Sequence, residues 1–495
     1  MLGLWVVFLF AFPCCIVAYL TFLPKSFPRN IPVAALWPQI YDTIRGLSRV
    51  DSYNRRIRPL IEKHGAVAFW RHGQWTVLVT KPAYLVQIFK KTDRTLSKAG
   101  HFHRRPGSTN ARLFGENIFN CREDLHSTFS KILRPGILRP APIASMKAKT
   151  QQLAMRLLRD QTSEHGGVGT CIRTAVWTWS ISLYGEYFLD TELDSLEFTR
   201  SSVQQILRTL NCSVIGRFEF LFPLLRHLPW KPHILQRTGS QLRQLELDLL
   251  HEVEQRRKMP PSPYSADKVI YLLGRAKDET EISEFHYRSN HKQLFVAGHE
   301  NVEAVLVSAM LQLAKHQDIQ SRLRSAVTQE FPANYSVEDL DRLPLLLAVI
   351  YETLRLYPPL WTLTNRRSSE PFILEPDIII PPNTLVGWHA YGIHTDPLEW
   401  GESAGQFNPL RWGANCAAIN RTVRAKQTHG AYIPFGMHSR RCLGSGYALT
   451  LLKVALCELL RTIEWSLPSE YKMSFSNTPV MRPDDCGFVV RKTMC

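Results

Sequence analysis

Cys442 stands in the stretch "PFGMHSRRCLGSG", residues 434–446, between a glycine-spaced, arginine-bearing loop and the apolar run "YALTLLKVALCELL", which reads as a buried helix. A sulfur just before a helix start meets free backbone N–H groups and the positive end of the helix dipole, and an electropositive loop adds to both. Those conditions keep a thiolate available as a metal ligand or as a nucleophile. A nucleophilic cysteine needs a base beside it, for which His438 is the local candidate. The loop length and glycines suit a different use: backbone wrapped around a bulky flat cofactor, with Cys442 as axial ligand to haem iron.

A second set of polar residues lies in "QLFVAGHENVEAVLVSAMLQLA". This run is apolar around most of a helix, which marks a buried central helix. Ala297, Gly298 and Asn301 share a face of it, and Gly298 costs about 1 kcal/mol relative to alanine in a helix interior. A close helix crossing would explain that glycine. Glu300 and Asn301 require more, because a polar pair in a buried helix must face a cavity, water or a ligand. In "LLLAVIYETLRLYPPL", Glu352 and Arg355 stand three apart on one helix face. Exposed, such a pair is worth a few tenths of a kcal/mol. The apolar context predicts partial burial instead, and buried charges need partners beyond each other. Arg411 in "QFNPLRWG" is the candidate.

These residues need a large scaffold. The chain has 495 residues with ordinary globular composition, 45% hydrophobic and 21% charged. Strand signals are sparse: Ala66 to Trp70 and Gln74 to Val79 resemble a hairpin broken at His72-Gly73, with short candidates at 377–380 and 487–490. Helical periodicity dominates elsewhere, as in "GSQLRQLELDLLHEVEQRRK" and "DIQSRLRSAVTQEF", so the class is mainly α with small β-sheets. Ten scattered cysteines without a CxxC do not read as a zinc site or disulfide framework and fit a reducing compartment. The net charge of +17 comes in short groups such as Arg256-Arg257-Lys258 and Arg440-Arg441, with no arginine-rich arm. Anionic lipid headgroups or an acidic protein suit that pattern, and no nucleic-acid partner is expected. Leu2 to Leu23 is uncharged and apolar, long enough to cross a hydrocarbon core as a helix. Lys25 and Arg29 follow it and favour the cytosolic side, and prolines at 24, 28 and 32 predict a stiff hinge over 24–44. Residues 45–495 then read as one large domain.

The motifs together resemble the cytochrome P-450 family of haem-thiolate monooxygenases. That family's cysteine loop reads Phe, two residues, Gly, one, Arg, one, Cys, one, Gly. Phe435, Arg440, Cys442 and Gly444 match in register, while His438 stands where the family has its glycine. Glu352-x-x-Arg355 is similar to the family's Glu-x-x-Arg, and Phe407 to Trp412 to the segment whose arginine, here Arg411, completes that triad. "VAGHEN" resembles the oxygen-binding helix motif, with Asn301 in place of threonine.

The resemblance implies the cytochrome P-450 fold and haem b held by the Cys442 thiolate, the metal ligand, within a loop carrying Phe435, Arg440 and Gly444. It further implies His126 and Arg366 or Arg367 as propionate partners. Lys131 is taken as substitute for a basic residue where this chain has Ser130. Stretches 102–117, 360–364 and 479–487 correspond to substrate-contact regions. The implied activity is a membrane-anchored monooxygenase of the endoplasmic reticulum, its catalytic domain facing the cytosol. NADPH-cytochrome P-450 reductase would supply electrons from NADPH, and Glu300 and Asn301 would deliver protons. "GHEN" with "FNPxRWG" is similar to fungal enzymes of dityrosine formation and specialised metabolism, so an aromatic or peptide-derived small molecule is the expected substrate, hydroxylated or oxidatively coupled. The missing threonine keeps open a haem-thiolate isomerase or peroxide-using oxidase.

Overall fold

The computed structural model describes residues 22–193 and 233–493, apart from 72, 105–107, 164–169, 263–264, 330, 333, 476–479 and 485–486. The expected anchor, as far as residue 21, lies outside the described residues, as does part of the expected substrate-contact stretch 479–487.

Helices dominate, and the strands form sheets of six, three and two members. The predicted hairpin is present as β2 (Ala66–Arg71) and β3 (Gln74–Val79), paired antiparallel from Ala66↔Val79 to Arg71↔Gln74. Gly73, at φ +70°, supplies the left-handed backbone that such a tight turn needs. Around this hairpin the large sheet runs β1-β2-β3-β9-β6-β4, with β1 at Val33–Ala34, β4 at Leu96–Lys98, β6 at Leu363–Ser368 and β9 at Leu385–Trp388. The register of β4 on β6 sets Lys98 opposite Arg366. The candidate at 377–380 is β8 (Ile378–Ile380), paired with β7 (Phe372–Leu374). That at 487–490 is β11 (Gly487–Lys492), between β10 (Ile463–Ser466) and β5 (Thr170–Cys171).

Five helices position the site: α1 (Glu123–Leu138), α2 (Arg173–Tyr184), α3 (Glu284–Lys315), α4 (Pro344–Leu356) and α5 (Ser445–Thr462). The Ser283 side chain caps α3 by accepting from the His286 N–H. From there α3 runs for 32 residues and packs against α2, α4 and α5. It is long and apolar enough to cross a membrane, yet most of its apolar window is buried inside the protein, so it is the core helix its sequence predicts. Pro344 starts α4 with a fixed φ, and the helix stops at Leu356, just before Tyr357-Pro358-Pro359. The two other periodic runs fall in helices His233–Lys258 and Gln317–Gln329. Not all the basic groups face solvent: Arg256 and Arg440 turn inward onto Asp190 and Asp93.

Candidate active site

Glu352 and Arg355 are fully buried on α4, and the pair is bidentate, with Arg355 Nε and Nη2 each 2.8 Å from a Glu352 oxygen. The expected third member is present: Arg411 Nε donates to Glu352 Oε1 at 2.9 Å. Trp412 Nε1 at 3.0 Å and the Asn408 N–H at 2.9 Å also donate to the same carboxylate. Arg355 further donates to the carbonyls of His394, Ala404 and Gln406. Every charge here is met several times over, which a buried ion pair needs in order to offset desolvation.

The network extends to the cysteine loop. His394 meets the Arg355 carbonyl through Nδ1 at 3.1 Å and accepts the Ile433 N–H on Nε2 at 2.8 Å. Burial pushes its imidazole down to about 3, so it stays neutral and keeps that acceptor. Beyond Ile433 the loop closes on itself, with the Cys442 N–H donating to Phe435 O at 2.8 Å. Gly436 has φ +70° and His438 φ +53°. His438 thus takes up left-handed backbone where the related family has glycine, and histidine is among the side chains that tolerate it. Phe435 packs against the main core.

Cys442 is exposed by surface area, yet burial in surrounding protein raises its thiol pKa. The two facts agree if the sulfur faces a concavity inside the molecule. The Gly444 N–H and Arg441 pull the pKa the other way, as a helix start and basic loop should, but desolvation outweighs them. A metal cation bound to the sulfur would favour the thiolate further.

Arg440, two residues before Cys442, belongs to a group of cations. Lys98 and Arg366, cross-strand partners, are buried together with Arg440, and Asp93 is the carboxylate among them. Arg440 takes both Asp93 oxygens and the Cys121 carbonyl. Arg366 donates to Thr92 and Asn365 and lies against Phe89 and Trp388. Burial first, then Arg366 and Arg440, push Lys98 well below its usual range, and burial with Arg440 lowers Arg366 to about 9. Like charges opposed across strands are destabilising, so this arrangement lacks anions. His126 on α1 is lowered to about 4, by burial first and then by Arg440, and meets Ser130 at 3.4 Å. Lys131 is not brought in. Five positions beyond His126 it stands on another face of α1, exposed, and Lys98 occupies the interior instead. Sequence reading missed Lys98 because its neighbours come from distant strands.

On α3, Gly298 has the simpler explanation: a Cβ there would lie 2.4 Å from the Tyr184 ring of α2, so the glycine permits a close crossing. His299 turns toward the same helix, edge-on to Trp177, and burial lowers it to about 4. Glu300 is buried, and desolvation raises its carboxyl to about 7, with Arg482 opposing and Glu303 adding to the rise. Asn301 Nδ2 donates back to Ala297 O at 3.2 Å, leaving Oδ1 a buried acceptor without a partner. The residues fit haem: a sulfur facing a concavity, a cation group short of anions where propionates would lie, and an orphaned acceptor.

A family model described as Cytochrome P450 matches residues 26–489. Cytochrome P450 monooxygenase xanG of Aspergillus fumigatus is 32% identical over 483 residues, 96% of this chain and 89% of that protein. Cytochrome P450-DIT2 of Saccharomyces cerevisiae is 28% identical over 455 residues, 91% of this chain and 90% of that one. The crystal structure of the cytochrome P450DA haem domain shares the fold at a TM-score of 0.73 and 18% identity, covering 94% of this chain and 99% of that chain.

Proposed function

The chain belongs to the cytochrome P450 family of monooxygenases, and on that premise we propose that it is a membrane-anchored member that oxidises an aromatic or peptide-derived small molecule. The observation that carries the site assignment is Cys442 just before α5, its surface exposed while surrounding protein still raises its pKa by desolvation. Haem bound there supplies an iron at which dioxygen is activated with electrons from NADPH. Cys442 would hold that iron, steadied by the Gly444 N–H, with Phe435 packed against the core. Lys98, Arg366 and Arg440, with His126 beside them, would hold the propionates, whose charge would relieve the crowding of cations.

Glu300 holds the proton. Its carboxyl, raised to about 7, is both protonated and ionised near neutral pH, as a proton donor that must reload requires. Asn301 presents a bare acceptor and so orients a water that donates to it, where a threonine hydroxyl would both accept and donate. Glu352, Arg355 and Arg411 are structural. Reduced protein with carbon monoxide should show the strongly red-shifted Soret band of thiolate ligation, and Cys442→Ser should abolish it. The same band in the mutant would overturn the assignment.

The lack of a hydroxyl at Asn301 also favours a second reading, a haem-thiolate isomerase or peroxide-using oxidase. Turnover that strictly requires NADPH and dioxygen separates the first from the second. The apolar stretch Leu2–Leu23 followed by Lys25 and Arg29 supports a single-pass anchor in the endoplasmic reticulum, with the catalytic domain in the cytosol beside NADPH-cytochrome P450 reductase.

A further inference from the structure

Burying two glutamates three apart on one helix is costly unless a cation stands between them. Glu300 and Glu303 of α3 are both buried, Glu303 completely, and the cation is Arg482, from the segment before β11. It does not serve them equally. Arg482 Nη1 lies 2.5 Å from Glu303 Oε2 but 3.9 Å from Glu300 Oε1. The other Glu303 oxygen is buried without a hydrogen-bond partner, so Glu303 depends on this one contact.

The segment that carries the arginine is fixed on both sides. The Met481 N–H donates to Pro359 O at 2.9 Å, and Arg173 of α2 donates to Pro483 O at 3.1 Å and pairs with Asp484 at 3.6 Å. Among the described residues, Arg482 and Glu303 are the charges acting on Glu300. His299, next to it, is kept neutral by burial against Trp177 and Tyr184.

We propose that Arg482 is a positioning residue for Glu300, and that Glu303, by holding the guanidinium to itself, sets how firmly Glu300 keeps its proton. Arg482 stands against both carboxylates and much nearer to Glu303. A Glu300 that the guanidinium approaches more closely becomes a poorer proton donor. The importance of this for turnover rests on Glu300 being the proton source; the division of the guanidinium does not.

The test therefore reads Glu300 directly, in haem-loaded protein whose carbon monoxide spectrum shows it is folded. Infrared difference spectra of glutamate-labelled protein follow the protonated carboxyl band, which Glu300→Gln identifies by removing it. In wild type the band should fade as pH rises through about 7. Glu303→Gln removes a repelling charge and frees Arg482, two effects of one sign, so the band should fade at least about one pH unit lower. Arg482→Gln should move it higher, with Arg482→Lys, which keeps the charge on a shorter reach, in between. Should the Gln variant of Arg482 not fold, Glu303→Gln and Arg482→Lys carry the test. An unchanged titration in the folded variants overturns the proposal. Product formed per NADPH, measured across pH alongside, addresses the proton-source reading separately: a band that moves while coupling does not would support the division of Arg482 and refute Glu300 as donor.

Discussion

Replacing Glu352 by alanine should unseat the haem-side fold. The carboxylate is fully buried and accepts from Arg355 Nε and Nη2, Arg411 Nε, Trp412 Nε1 and the Asn408 N–H. Losing one partner of a buried ion pair costs about 3–5 kcal/mol, and each buried donor left unpaired costs about 1–3 kcal/mol more. These do not add fully. Arg355 keeps three carbonyl acceptors, and Arg411, 11% exposed, can turn to water. A loss of about 5 kcal/mol results, a third or more of the stability typical of a folded domain. Because Arg355 reaches the cysteine loop through His394, the loss should appear in haem retention as well as unfolding. Glu352→Gln, which keeps shape but faces donors with a donor, should cost about 3 kcal/mol, and Arg411→Ala less, since the Glu352–Arg355 pair survives. Urea titration followed by the Soret band, with haem content per protein, measures all three. Glu352→Ala with a wild-type midpoint and full haem would refute the reasoning.

Asn301→Ala should lower product formed per NADPH by roughly tenfold, the weight of one well-placed hydrogen bond, while NADPH consumption continues and hydrogen peroxide accumulates; Asn301→Thr should retain substantial coupling. Lys98→Met should quicken haem loss to a scavenger by roughly tenfold or more, a charge-assisted contact being worth about 1.5–3 kcal/mol; an unchanged rate would remove Lys98 from the propionate site. Removing residues 1–23 should release protein from membranes with haem incorporation intact; loss of the haem-binding fold would count against residues 24–44 being only a hinge.

What the sequence made legible follows from how each contact is made. Glu352 and Arg355 are helix neighbours, and Cys442 adjoins a helix start, so spacing alone carries them. The hairpin at 66–79 is equally local, set by alternation and a glycine turn. Lys98 and Arg482 gave no such signal. Lys98 becomes a site residue only when β4 pairs with β6, across more than 260 residues, and Arg482 only when its segment reaches α3, 179 residues back. Lys131 follows Ser130, where the resemblance implies a basic residue, but one step along a helix turns a side chain by about 100° and leaves Lys131 exposed. Gly298 was legible from local pattern: a glycine in a buried helix suggests a close crossing, and here it admits the Tyr184 ring.

The crowding of Lys98, Arg366 and Arg440 around Asp93 makes haem part of the folding equilibrium. A ligand that binds only the native state stabilises it by mass action, about 1.4 kcal/mol for each tenfold rise in free concentration above its dissociation constant. A newly made chain that meets haem late keeps its interior cations in mutual repulsion and opens more often, and opened chains are what cellular proteases remove. The amount of this protein in a cell should therefore track haem supply even at constant synthesis, so that a shortage of iron or porphyrin reduces the number of molecules as well as their activity.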